Sequence, residues 1–170
     1  KSFEKALAIN PDYAEAHNNL GNTLRDLDQL DAALVSFEQS LTIKPDFAEA
    51  HNNLGNVLKD LGQLDEAVKC FNQALSINPD YAEAHNNLGN ALNDLVQPDA
   101  AIKSFEKALA IKPDYAEAHN NLGNTLTNLD QLDAALVSFE RALILNPELS
   151  FLLGQSLHSK MTLCLWDDLP

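Results

Sequence analysis

Aromatic side chains are scarce in this sequence, at 6% against 45% hydrophobic residues overall. With so few rings, Ala and Leu must supply most of the buried surface, a composition that favours helices. Cations are scarce too: 11 Lys and Arg stand against 25 Asp and Glu, for a formal net charge of −14. They are not segregated onto one stretch, so a nucleic-acid backbone would be repelled rather than held, and nucleic acid is excluded as a partner. No apolar run approaches the roughly 18 residues that a membrane span needs, and no signal-peptide pattern is present, so no membrane partner is expected. The two cysteines, Cys70 and Cys164, do not form a CxxC pair, and no Asn-x-Ser/Thr sequon occurs among the many asparagines. A soluble chain in a reducing cytoplasm is the expectation. The first residue is Lys1, which suggests a piece of something longer.

The dominant positive feature is a period. Four units of 34 residues begin at Pro11, Pro45, Pro79 and Pro113, and the third and fourth agree at 23 of 34 positions. Residues 1–10 match residues 103–112 at nine of ten positions, so the chain opens partway through a further unit. Within a unit, Ala16, Leu20, Leu24 and Leu27, then Leu30, Ala33, Leu34, Phe37 and Leu41, recur at helical spacing in two blocks, and each unit reads as a helical hairpin. Pro11 with Asp12 is expected to end one helix and open the next, with the carboxylate favouring the positive end of the helix dipole. Gly21 and Ala33, repeated as Gly55, Gly89, Gly123 and Ala67, Ala101, Ala135, offer small surfaces for close helix approach. Phe37, Phe71, Phe105 and Phe139 are placed to fill the space beside them.

Leu20-Gly21, Ala33, Phe37 and Pro45, with their counterparts in every unit, resemble the tetratricopeptide repeat in type and spacing over residues 1 to about 146. The resemblance implies an all-α fold, a right-handed superhelical solenoid of antiparallel helix pairs with an open concave groove. On that reading, residues 1–10 are the second helix of a truncated repeat. Residues 11–44, 45–78, 79–112 and 113–146 are complete repeats. Residues 147–170 cap the stack and begin a linker to a further domain. Three departures stand out: His17, His51, His85 and His119 where the family often has Trp, Val96 at a turn often occupied by Gly, and Pro98 in place of Leu30, Leu64 and Leu132. Pro98 is expected in the first turn of its helix, where a missing N–H costs little.

On a helical wheel Glu15, Asn18, Asn19, Asn22, Arg25 and Asp26 fall within about 120°, opposite Ala16, Leu20, Leu24 and Leu27. The apolar stripe alone satisfies packing, so the polar face is expected to be free. Asn is a poor helix former, and three per helix carry a stability cost that a function would offset. A side-chain amide has donors and an acceptor complementary to a peptide group, so a row of amides can hold an extended chain irrespective of its sequence. Asn19, Asn53, Asn87 and Asn121 each precede a Leu-Gly pair and resemble the asparagine ladder of the O-linked N-acetylglucosamine transferase superhelix. The family places first helices in the groove. The candidate peptide-binding set is therefore those four together with Asn18, Asn22, Asn52, Asn56, Asn86, Asn90, Asn120 and Asn124, plus Arg25 and Lys59 where the face turns basic. For Asn18 and Asn22 a solvent-facing or stack-holding role stands beside the binding one. Glu15, Glu49, Glu83 and Glu117 make the face acidic, which implies a preference for neutral or basic segments.

Histidines 34 residues apart would lie roughly 10 Å from one another at ordinary helix spacing, too far to share a metal ion whose ligands stand near 2.1 Å. Inter-unit packing, with a ring nitrogen bonded to a neighbouring backbone group, is expected instead. No phosphate-binding glycine loop, nucleophile elbow or HExxH is present, and the repeated carboxylates lack a distinguishing partner. No catalytic residue, metal or cofactor is assigned. After Pro147 the repeat fails, although Leu149, Leu153, Leu157, Met161 and Leu165 keep a helical stripe suited to capping. The segment "HSKMTLCLWDDL" resembles the junction in bacterial proteins that join tetratricopeptide repeats to an O-linked N-acetylglucosamine transferase-like domain, with Leu165 in place of an expected Asp. The sequence thus points to a scaffold for an extended polypeptide, the recruiting arm of a larger glycosyltransferase-like protein. An assembly module that docks through its outer face or stacks end to end remains the alternative.

Overall fold

The computed structural model describes residues 13–147, and within them eight α-helices follow one another without a strand. They are α1 (Ala14–Asp26), α2 (Leu30–Ile43), α3 (Ala48–Asp60), α4 (Leu64–Ile77), α5 (Ala82–Asp94), α6 (Pro98–Ile111), α7 (Ala116–Asn128) and α8 (Leu132–Leu145). Two helices fall in each 34-residue unit. None is long and apolar enough to cross a membrane, and among the described residues no group of three His, Cys, Asp or Glu could hold a metal. The expected partial repeat over residues 1–10 and the cap over 147–170 lie outside the described residues, apart from Pro147 itself.

Each hairpin closes on one contact. Phe37, Phe71, Phe105 and Phe139 are fully buried, and so are Ala33, Ala67, Ala101 and Ala135. The phenylalanine ring lies against the glycine of the partner helix so closely that a Cβ on Gly21, Gly55, Gly89 or Gly123 would stand 2.5–2.7 Å from it. No real side chain tolerates that distance. The Leu-Gly and Ala-x-x-x-Phe positions are therefore one device: removing a side chain from the first helix admits a ring from the second, and burying that ring stabilises the hairpin by about 2–3 kcal/mol.

The turn between the two helices of a unit is a Schellman closure. The amide of Asp28 donates to Arg25 O at 2.9 Å and that of Gln29 to Leu24 O at 2.9 Å, and the same pair recurs at Gly62 and Gln63 and at Val96 and Gln97. The residue at its centre is left-handed, with φ of 59° at Asp28, 77° at Gly62, 58° at Val96 and 59° at Asp130. Pro98 then begins α6 at its first turn, as expected.

Pro45, Pro79 and Pro113 do not open helices, contrary to the sequence expectation. Each helix starts three residues later, at Ala48, Ala82 and Ala116. The proline instead takes the second position of a β-turn, in which Phe47, Tyr81 and Tyr115 donate their amides to Lys44 O, Asn78 O and Lys112 O at 3.2–3.3 Å. The acidic residue of the first turn is Glu49, Glu83 or Glu117 rather than the aspartate after proline.

Between units, α2 packs on α3, α4 on α5 and α6 on α7, and the first helices α1, α3, α5 and α7 also touch in succession. Successive second helices make no comparable contact. First helices in contact and second helices apart require a stack that bends with the first helices on its inner side. One apolar cluster runs through this seam from Ala33 to Phe105, with Val57, Leu88 and Leu92 joining neighbouring hairpins.

Candidate functional site

The inner side is lined by α1, α3, α5 and α7, which carry the asparagines singled out above. The structure places them in three rows with different surroundings. Asn18, Asn52 and Asn86 are buried, 1%, 5% and 0% exposed. This corrects the expectation of a free polar face: a wheel of one hairpin shows what that hairpin leaves open, and the next first helix then covers part of it.

The cover is specific. Asn53 Nδ2 donates to Asn18 Oδ1 at 3.0 Å, Asn87 Nδ2 to Asn52 Oδ1 at 3.0 Å, and Asn121 Nδ2 to Asn86 Oδ1 at 3.1 Å. Asn18 and Asn86 pass the chain forward, donating to Glu49 Oε1 at 3.0 Å and Glu117 Oε1 at 3.2 Å. Neighbouring units are thus joined by a polar seam at separations of 35 and 31 residues, one more and three fewer than the period. The stack-holding role weighed for Asn18 is the one it takes; its partners, Asn53 and Glu49, were not named from the sequence, although Asn beside Asn at a fixed period with Glu three residues before them was the available signal.

In the second row, Asn19 is exposed, Asn87 and Asn121 are half-buried, and Asn53 is 8% exposed. An amide has two donor hydrogens and an acceptor oxygen. The seam uses one hydrogen on Asn53, Asn87 and Asn121, and among the described residues no side-chain bond engages their Oδ1 atoms. The bond also fixes the plane of each amide. Asn22, Asn56, Asn90 and Asn124, the third row, are half-buried and make no side-chain hydrogen bond among the described residues. Asn120 is half-buried, and its Oδ1 is a buried acceptor without a partner.

Carboxylates set the electrostatics of this side. Arg25 and Lys59 each lie against the next residue, Arg25 Nη2 4.0 Å from Asp26 and Lys59 Nζ 3.6 Å from Asp60, so their charge is partly offset. Glu15 is held below the usual carboxylate range by a backbone hydrogen bond and then by Lys44, 3.4 Å away. Burial first, and next the charges of Glu117 and Glu83, push the Tyr115 hydroxyl up to about 12. Tyr81 moves the same way through burial and the charges of Glu49 and Glu83.

Three of the histidines bond a backbone group as expected, but the bond lies within a unit rather than between units, because the proline turn brings a carbonyl six residues earlier up to the ring. His51 Nε2 donates to Pro45 O at 2.9 Å, His85 to Pro79 O at 3.0 Å and His119 to Pro113 O at 3.1 Å. The bond pins the proline turn to the helix that follows it, which explains why Pro and His recur together. In this tautomer Nδ1 is an acceptor, and His85 Nδ1 is buried without a partner. Burial depresses the basicity of the His85 ring, with Lys107 adding to the effect and the Pro79 bond opposing it.

Comparison with known proteins fits this arrangement. Family models match consecutive stretches: one described as TPR repeat over residues 21–62 and 55–95, and two described as tetratricopeptide repeat over residues 82–115, 116–149 and 2–35. No curated protein sequence matches the chain. Among solved structures, MamA is similar with a TM-score of 0.77 at 26% identity, over 87% of this chain and 86% of that one. TTC0263, a thermophilic TPR protein in Thermus thermophilus, gives 0.78 at 25% identity over 94% and 87%. YrrB, described as a TPR protein with an unusual peptide-binding site, gives 0.78 at 24% identity over 98% and 86%, a likeness of fold alone.

Proposed function

Because the chain belongs to the tetratricopeptide repeat family, we propose that it is a protein-interaction scaffold whose inner side holds an extended polypeptide. Asn19, Asn53, Asn87 and Asn121 would contact the peptide backbone, with the Asn22 row, Arg25 and Lys59 beside them. One observation carries the reading: the seam orients three successive amides and leaves an acceptor and a second donor hydrogen on each. Amides fixed before a partner arrives lose little freedom on binding it, which favours affinity without sequence preference. Glu15, Glu49, Glu83 and Glu117, one in the first turn of each first helix, support a preference for neutral or basic segments. YrrB, of like fold, is described as having a peptide-binding site of its own. The resemblance of the tail to glycosyltransferase-linked repeat proteins extends the proposal: the partner would be an acceptor polypeptide recruited for an O-linked N-acetylglucosamine transferase-like domain, in the cytoplasm, with no catalytic role for the repeats.

The test uses the two ends of one hydrogen bond. Asn52→Ala and Asn87→Ala both break the 3.0 Å bond between these residues, at about 1–2 kcal/mol of stability each. Only Asn87→Ala also removes an amide of the second row. Titration of a fluorescent, neutral, unstructured peptide should therefore show the larger loss for Asn87→Ala and a smaller one for Asn52→Ala, which keeps the Asn87 amide but frees its plane. Equal affinities for the two variants would make the asparagines purely structural.

A further inference from the structure

The bend that brings first helices together separates the second helices, and between α4 and α6 it opens a cleft of about 440 Å³ over the N-terminal part of α5. Leu75, Leu88 and Ile111 give it an apolar lining, His85 lines it as well, and Lys103, Lys107 and Asn72 stand around it. The volume lies in the range of small-ligand and side-chain pockets, roughly 300–1,000 Å³. It is on the opposite side of the stack from the asparagine rows.

This cleft differs in charge from its repeats. The residues at the Lys103, Lys107 and Asn72 positions are Lys69, Gln73 and Glu38 in the preceding interval and Val137, Arg141 and Glu106 in the following one. Asp80 also lines the cleft, but Asp46 and Asp114 hold the same position in the others and do not distinguish it. Only here do two lysines one helical turn apart face an uncharged residue where the other intervals carry a glutamate. Neither lysine makes an ion pair among the described residues, in a chain of net charge −14. The histidine differs too: His85 is 7% exposed with an unpartnered Nδ1, whereas His51 and His119 are half-buried.

We infer that this outer cleft is a second docking site, which takes an acidic peptide segment that inserts one large apolar or aromatic side chain between α4 and α6. The inserted side chain packs on Leu75, Leu88 and Ile111, and its flanking carboxylates meet Lys103 and Lys107. A tyrosine hydroxyl or backbone amide of the segment is the class of donor that His85 Nδ1 lacks. The charge preference is opposite to that of the inner side, so one molecule can hold two kinds of segment at once.

The experiment titrates the whole chain into fluorescently labelled acetyl-Asp-Glu-Tyr-Leu-Glu-Asp-amide and follows anisotropy at low and high salt. Saturable binding should appear, weaken with salt, and fall roughly twentyfold in Lys103→Glu/Lys107→Glu. Asn72→Glu installs the residue already tolerated at positions 38 and 106, so it should fold, and should weaken binding about threefold. Asn19→Ala should leave the affinity for this probe unchanged. Absence of saturable binding below about 1 mM, or binding indifferent to both charge variants, would overturn the inference. Loss through Asn19→Ala alone would reassign the probe to the inner side. The backbone-holding role of the inner side rests on other residues and survives either outcome, whereas its charge preference would fall if the acidic probe were reassigned there.

Discussion

Residues 14–22 and 48–56 are the same nine letters, AEAHNNLGN, yet they sit in different surroundings. In α1, Asn19 is exposed and Leu20 and Leu24 are half-buried; in α3, Asn53, Leu54 and Leu58 are 8%, 8% and 7% exposed. The hairpin core does not share this difference, since Phe37 and Phe71 are both fully buried and both press on a glycine. Identical sequence therefore yields an identical hairpin and an unequal flank. The hairpin contact is intrinsic to a unit, the seam is supplied by its neighbours, and the stability of the array divides along that line.

The largest test of that division is in the shared part. Phe37→Ala and Phe71→Ala each empty a ring-sized space against a glycine and should each cost about 3–5 kcal/mol, measured by urea denaturation followed by circular dichroism. The two costs should agree within about 1 kcal/mol. A much smaller loss at Phe37 would mean that the hairpin, too, draws its stability from adjoining units.

A middle-sized effect belongs to the unequal part. Asn53→Ala removes the donor to Asn18 Oδ1 and leaves that buried acceptor unpaired, for about 1–2 kcal/mol. Asn19→Ala, at an exposed position with no side-chain bond, should be neutral or slightly stabilising, because Ala is the better helix former by about 0.7 kcal/mol. Equal costs for the two would show that exposure in α1 does not report the absence of a seam bond.

The sequence made the hairpins legible because their determinants are local and repeated: helical spacing, a missing side chain at Gly21 and a ring at Phe37 that fits the space. The family and the all-α solenoid followed. Pro45 was legible as a break but not as a β-turn residue, since only coordinates distinguish a proline before the cap from one inside the helix. The asparagines were half legible. A wheel shows one helix against its own partner, and it cannot show that Asn18 is covered by Asn53 and Glu49 of the next unit. The charge difference of the outer cleft was present in the letters Asn72, Lys103 and Lys107, but nothing joined them until α4 and α6 were seen on either side of one space.

The smallest expected effect concerns the turn, where the units differ in residue rather than in surroundings. Gly62 and Val96 occupy the same Schellman position with φ of 77° and 58°. Glycine adopts that conformation freely, whereas an L residue pays about 1–2 kcal/mol, more for a β-branched one. Val96 is 84% exposed, so its side chain returns little by packing. Val96→Gly should relieve the strain but loosen the unfolded chain, by about 0.4–1 kcal/mol in the opposite direction. The net outcome is a gain of about 0.5–1 kcal/mol, and Gly62→Val should show a loss of about the same size. Nothing within 4 Å would obstruct a side chain at Gly62, so that loss would arise from backbone conformation alone. Melting curves for the two reciprocal variants should move in opposite directions. Movement in the same direction would mean that unfolded-state entropy or a contact of Val96, rather than the left-handed backbone, decides what the turn prefers.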